Sequence, residues 1–223
     1  MENIIEKKIH TDGEAYYFNT ETKEKYGEIV GSLAWPKATG GFLIIAAVEF
    51  VGNTEFKARH IRVLVKANES DMDNFLKHAL GLQRHFSPFM ETIRFYGDTT
   101  SVEMMELLDQ FNRDRRHRGL NPFYLTEAPQ LKSSQKRDFY AQLIKTYTQP
   151  GRNILHFCDT ALPSYLMSFS SDDISKNVLD SPPVAALGYA LAVLSTWKPR
   201  RRETGMKAKQ DRLSMDNPME ETT

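Results

Sequence analysis

The chain has 223 residues, 40% of them apolar and 26% charged, which suits one domain with a single substantial core. Its 29 basic side chains equal its 29 acidic ones, so the formal net charge is zero and any attraction to nucleic acid must come from a local patch rather than from bulk charge. The one cysteine, Cys158, excludes an intrachain disulfide and points to a reducing, cytoplasmic setting.

The opening, MENIIEKKIHTDGEAYYF, has no basic segment followed by an apolar run, so no secretory signal is expected. No apolar stretch approaches the ~20 residues of a membrane span. Tyr16, Tyr17 and Phe18 read as an edge strand covering the core, with base stacking as the functional alternative. Three strands are then expected. GEIVGSLAW (27–35) is apolar and partly β-branched. GFLIIAAVEFVG (41–52) is a nearly continuous apolar run between glycines, and FKARHIRVLVKA (56–67) alternates, with Ile61, Val63 and Val65 on one side. The links between them are short and turn-like, which predicts an antiparallel meander.

The period then changes to that of a helix. Phe75, Leu76, Ala79, Leu80 and Gln83 share one face over 68–86, with Ser70 or Asn68 as the cap. ETIRFYGD (91–98) reads as a short strand. The segment 101–119 reads as a second helix, capped by Ser101, ended by Gly119 and striped by Val102, Met105, Leu108 and Phe111 or Asn112. NPFYLTEA (121–128) is the next strand, and strand–helix–strand at this spacing predicts a parallel crossover. A third helix begins near 133, with Phe139, Tyr140, Leu143, Ile144 and Tyr147 at helical spacing. RNILHF (152–157) is a short extended piece, and 163–169 a short helical one. The last helix runs from about 182 to 197, with Ser181 as cap and Pro182 first, where a missing amide hydrogen costs nothing. Its alanines and Gly188 make it slim enough to lie close to a sheet. The polar stretch after Pro199 has no apolar face and reads as a tail.

A meander, a helix, then parallel strands with crossover helices is the order of an RNase H-like fold. Three stretches resemble the C-terminal nuclease domain of phage large terminase subunits: IVGSLAWPKATGGFLIIAAVEF, IRFYGDTTSVEMMELL and DSPPVAALGYALAVL. The resemblance covers residues 26–197. It implies an α/β domain over 26–198, with a mixed five-stranded sheet and helices on both faces, between an N-terminal extension (1–25) and a flexible tail (199–223). It also implies a metal-dependent endonuclease of viral DNA packaging in the host cytoplasm, using Mg²⁺ or Mn²⁺, with DNA and packaging proteins as partners.

The resemblance fails at the acids. The region matching the family's first aspartate is Gly31-Ser32-Leu33-Ala34-Trp35, and Ala185 stands where the closing motif has another. Asp98 matches the second, as catalytic residue and metal ligand. Glu28 and Asp180 are the nearest substitutes as ligands, followed by Glu49, Asp172 and Asp173. Two-metal hydrolysis holds its ions ~3.5–4 Å apart, each with several oxygen ligands. One surviving acid of three therefore implies reduced or lost cleavage. The alternative is a non-catalytic module binding nucleic acid or protein on the same fold.

Each candidate has a plainer reading. Asp98 suits a turn residue accepting backbone amides, Asp180 a residue flanking the helix cap, and Glu49 a pairing residue on a strand. The arginines of RDRRHR, Arg113, Arg115, Arg116 and Arg118, complement a helix C-terminus or contact phosphates. The six histidines, His10, His60, His78, His85, His117 and His156, show no tight metal spacing. Cys158 suits a small buried residue. There is no glycine-rich phosphate loop, so a packaging motor would lie in another chain or segment.

Overall fold

The computed structural model describes residues 4–11, 13–37, 40–50, 60–129, 133–148, 154–157 and 181–198. Cys158, the expected helix at 163–169, Asp172, Asp173, Asp180 and the tail lie outside them.

A mixed, open sheet runs through the molecule. Its strands are β1 (Ile5–Ile9), β2 (Ala15–Asn19), β3 (Lys25–Lys37), β4 (Gly40–Glu49), β5 (His60–Glu69), β6 (Phe95–Gly97), β7 (Leu125–Glu127) and β8 (Ile154–Phe157). The helices are α1 (Met72–Phe86), α2 (Val102–His117), α3 (Ser133–Thr148) and α4 (Pro182–Leu194). Strands β1 to β5 are consecutive antiparallel neighbours. β6 lies parallel to β3 at Gly31 and Ser32, β7 lies parallel to β6, and β8 lies parallel to β5. The expected meander and parallel crossover pair are both present. The sheet has eight strands among the described residues rather than five. The β1–β2 pair shares one edge of β3 with β6, pairing at Lys25 and Tyr26, so Ile5–Ile9 and Ala15–Asn19 extend this sheet. β8 adds a further strand at the β5 edge.

The two strands at the centre are apolar because both of their faces are covered. Phe42, Ile44, Ala46 and Val48 pack with Val30 and Ala34 against α3 and α4. Leu43, Ile45 and Ala47 pack with Ile29, Leu33 and Trp35 against α1 and α2. β5 departs from simple alternation. Ala46 pairs with Val63 and Ile45 with Val65, so Leu64 is an extra residue, a bulge. Ile61 and Val63 therefore join one core and Val65 the other, which corrects the expectation of a single face.

Helix α1 buries the expected stripe, but its cap is Asp71, which accepts from the Asn74 amide at 2.8 Å, and not Ser70 or Asn68. Ser101 caps α2 through the Met104 amide, and Gly119 ends it at φ +68°, a conformation that favours glycine. Val102 is 72% exposed and contributes nothing to the stripe. Helix α4 is buried along nearly its whole length and lies against β3 and β4, with Gly188 beside the Tyr140 ring. No helix among the described residues is long and apolar enough to cross a membrane.

Candidate functional site

The parallel pairing of β3 with β6 builds the region that the sequence singles out. Ser32 pairs with Tyr96, so two residues further on Asp98, just past the end of β6, stands beside Ala34 in β3. Helix α4 crosses here in the opposite sense: Ala186 sits over Ser32, and Trp197 sits over Gly27 at the start of β3. The N-terminus of α4 therefore points to the Asp98 end. This is the open end of parallel strands, where α/β sheets place their sites.

The side chains gathered there are not those of a metal centre. Ser32 is fully buried, and its hydroxyl donates to the Ala186 carbonyl at 2.8 Å. Ala34 and Ala185 are buried and carry no ligand atom. Asp98 is half-buried. Its Oδ1 accepts from the Thr100 amide at 2.9 Å and the Thr100 hydroxyl at 2.6 Å, a turn-closing arrangement. Its backbone carbonyl accepts from Trp35 Nε1 at 2.6 Å.

Two buried phenols complete the region. Tyr140 donates to the Pro129 carbonyl at 3.2 Å, and its ring meets Tyr189 edge-on at 5.4 Å. Burial, then the charges of Asp98 and Glu127, pushes the Tyr140 phenol up to about 12. Burial, then Asp98 and Tyr140, pushes Tyr189 up as well.

Glu28 is not brought to Asp98. It lies six residues before Ala34 on β3, roughly 20 Å away at ~3.3 Å per residue. It lines an open groove of about 460 Å³ with Lys7, Tyr17, Arg94, Tyr96 and Trp197. Asp180 lies outside the described residues. A pair of hard divalent ions needs several carboxylate or carbonyl oxygens. The described residues at this end offer Asp98, already committed to Thr100, and Glu127 at the end of β7; two carboxylates are too few to fit a two-metal centre.

The arginines of α2 divide into two kinds. Arg115 is half-buried, donates through Nε to the Asn121 carbonyl at 2.7 Å, and lies over the Phe111 ring. Burial, then the nearby Arg84 charge, lowers its pKa from the usual arginine value. Arg113, Arg116 and Arg118 are exposed. Arg84 belongs to the last turn of α1, so the closing turns of both helices bring their positive charges together.

Sequence reasoning missed one further group. Glu49, His60 and His156 are the only three His, Cys, Asp or Glu side chains among the described residues whose ligand atoms all lie within 4.8 Å of one another. No spacing along the chain could reveal it, because β8 reaches β5 through parallel pairing, which short-range patterns do not encode. The other histidines go elsewhere: His10 packs near Tyr16 and Phe50, and His85 against Phe86. Tyr16 and Phe18 lie on β2, which is flanked by β1 and β3 and so is not the expected edge strand; Tyr16 stacks on Phe50 and Phe18 lies beneath Lys8.

No protein-family model matches the chain, and neither a curated protein nor a solved structure shows significant similarity to it.

Proposed function

We propose that the chain is an RNase H-like module, resembling the nuclease domain of phage large terminase subunits, that holds DNA without cutting it. The observation that carries this reading is the gathering of Arg84, Arg113, Arg115, Arg116 and Arg118 at the adjoining ends of α1 and α2. The exposed three have no carboxylate partner among the described residues, and like charges brought together this way favour a polyanion. Arg115 props the platform, while Arg113, Arg116 and Arg118 face outward.

Two features support the rest. The strand order β5-β4-β3-β6-β7, a meander followed by parallel strands, agrees with the RNase H-like arrangement. The region matched to the first catalytic aspartate, Gly31 to Trp35, holds no acid, and its one polar side chain with a hydroxyl, Ser32, is tied to the α4 backbone. In a packaging setting, such a module positions DNA or anchors it for a cutting or pumping partner.

The test combines binding with cleavage. A labelled duplex titrated with the protein should give an affinity that falls with salt, each phosphate contact adding about 0.9 to the slope of log K on log salt. Replacing Arg113, Arg116 and Arg118 together with alanine should reduce that slope by about 2–3 and weaken binding at least tenfold. Supercoiled plasmid with Mn²⁺ should stay intact. Nicking that vanishes in Asp98→Asn would restore the nuclease reading, for which the place of Asp98 at the end of β6 speaks. Salt-insensitive binding, or none, would leave a protein partner as the better account.

A further inference from the structure

We infer that Glu49, His60 and His156 form a binding site for a divalent transition metal of the Zn²⁺ class, with three protein ligands and an open coordination position. This inference rests on no part of the DNA-binding reading and uses a different region of the sheet.

The fold brings the three ligands onto one face. Val48 pairs with Ile61, so Glu49, where β4 ends, stands beside His60, where β5 begins. His60 pairs with Ile154 and Arg62 with His156, so His156 lies two residues along β8 on the same face as His60. The two imidazoles stack with centroids 5.6 Å apart and planes at 29°. Glu49 Oε2 lies 3.5 Å from His60 Nδ1 and 4.0 Å from His156 Nε2.

Those separations suit one ion. With metal–ligand bonds of about 2.0–2.1 Å in a tetrahedron, neighbouring ligand atoms stand roughly 3.3–3.4 Å apart. The first gap is already close to that spacing. The second closes with a small rotation of the glutamate or the imidazole. Side-chain exposures of 22% for Glu49, 33% for His60 and 39% for His156 leave the group open enough for an ion to enter.

The surroundings hold the carboxylate in a ligating pose. Arg62 donates Nε and Nη2 to Glu49 Oε1, at 2.8 and 2.7 Å, which leaves Oε2 turned toward the imidazoles. Glu24 binds Arg62 Nη1 at 2.9 Å, and the Tyr26 hydroxyl donates to Glu24. A chain of partners that fixes a ligand's orientation is the usual support for a metal site. A second sign is independent of those distances: among the described residues, His156 Nε2 is shielded from solvent and has no hydrogen-bond partner. A buried imidazole nitrogen without a partner calls for an explanation. An ion between it, His60 and Glu49 supplies one.

The donor set selects the metal. Two imidazole nitrogens and one carboxylate oxygen suit Zn²⁺ and its neighbours, whereas Mg²⁺ and Ca²⁺ require mostly oxygen. With both histidines neutral, Glu24, Arg62 and Glu49 sum to one negative charge, which favours a dication.

The experiment uses the full chain stripped by a chelator, then titrated with Zn²⁺ against a chromophoric competitor and, separately, with Co²⁺. One equivalent should bind, and Co²⁺ should develop the intense visible absorption of a low-coordinate site. His156→Ala and Glu49→Gln should each weaken that equivalent at least 100-fold, while Arg62→Lys, which keeps the charge but loses the two-pronged grip, should cost about 10–100-fold. Circular dichroism of each variant checks folding. Should His156→Ala fail to fold, His60→Gln carries the same expectation. Mg²⁺ should not compete. Failure to bind one equivalent overturns the site, as does binding that His156→Ala or His60→Gln leaves unchanged in a folded protein.

Discussion

Asn112 commits both ends of its amide to one residue: Nδ2 donates to the Phe123 carbonyl and Oδ1 accepts from the Phe123 amide, each at 2.8 Å. Both residues are buried, so no water can replace either bond. Gln83 and Ser87 do the same work one unit earlier. Gln83 Nε2 donates to the Ile93 carbonyl at 3.0 Å, and the Ile93 amide donates to Ser87 Oγ at 3.0 Å. Each helix thus closes with a polar side chain that pins the approach to the next parallel strand. Asn112→Ala leaves a buried donor and a buried acceptor unpaired, at about 1–3 kcal/mol each. We expect a loss of about 3 kcal/mol in urea denaturation; a loss below about 1 kcal/mol would mean that Phe123 finds other partners. The sequence marks Asn112 only as one of two residues able to complete a stripe. A polar residue at an apolar position has a physical meaning that becomes visible once its partner is placed. Asp98 is similar: its position after a strand and before Thr99-Thr100 predicts the turn that it makes, and no local pattern tells whether other carboxylates converge on it.

Among the elements, legibility follows burial. β4 is covered on both faces and announces itself as an apolar run; α1 is covered on one face, and its stripe is readable residue by residue. The bulge at Leu64 is not readable, because an extra residue shifts the alternation without changing the composition. β8 and the β1–β2 pair are short and carry partners chosen by the whole sheet, so their places lie beyond local patterns. β3 has a further requirement at Gly31. A Cβ there would collide with the Phe95 ring, and Phe95 is fully buried against Phe123, with ring centroids 5.2 Å apart. The ring has no room to retreat, so the glycine is what lets β6 lie beside β3 with an aromatic side chain across it. Gly31→Ala should cost about 1–3 kcal/mol by overpacking. Adding Phe95→Leu, which removes part of the obstructing ring, should recover a share of that loss. Purely additive effects in the double-mutant cycle would show that the two residues do not collide.

At the scale of the whole molecule, the sheet separates two cores, and the one beneath α3 and α4 contains the phenols of Tyr140 and Tyr189. Both are neutral where they lie, and both face the charge of Asp98. The sign of the consequence is fixed. A tyrosine whose folded pKa exceeds its unfolded value of about 10 contributes stability that is complete below pH 10. That contribution fades as pH rises through the folded value, which for Tyr140 is about 12. Ionisation also brings a phenolate into an apolar layer beside two carboxylates, so the α3–α4 side should loosen first in alkali. Circular dichroism of the wild-type protein should therefore fall between pH 10 and 12. Absorbance at the phenolate band should rise together with that fall, because Tyr140 and Tyr189 titrate as the layer opens. Tyr140→Phe keeps the ring beside Gly188 and Tyr189 and removes one of the ionising groups, so its alkaline transition should move to higher pH. The variant gives up the bond to the Pro129 carbonyl, so its stability near neutral pH is compared separately by urea denaturation. If the two proteins lose structure at the same pH, the phenol of Tyr140 is not what couples the α3–α4 core to alkali.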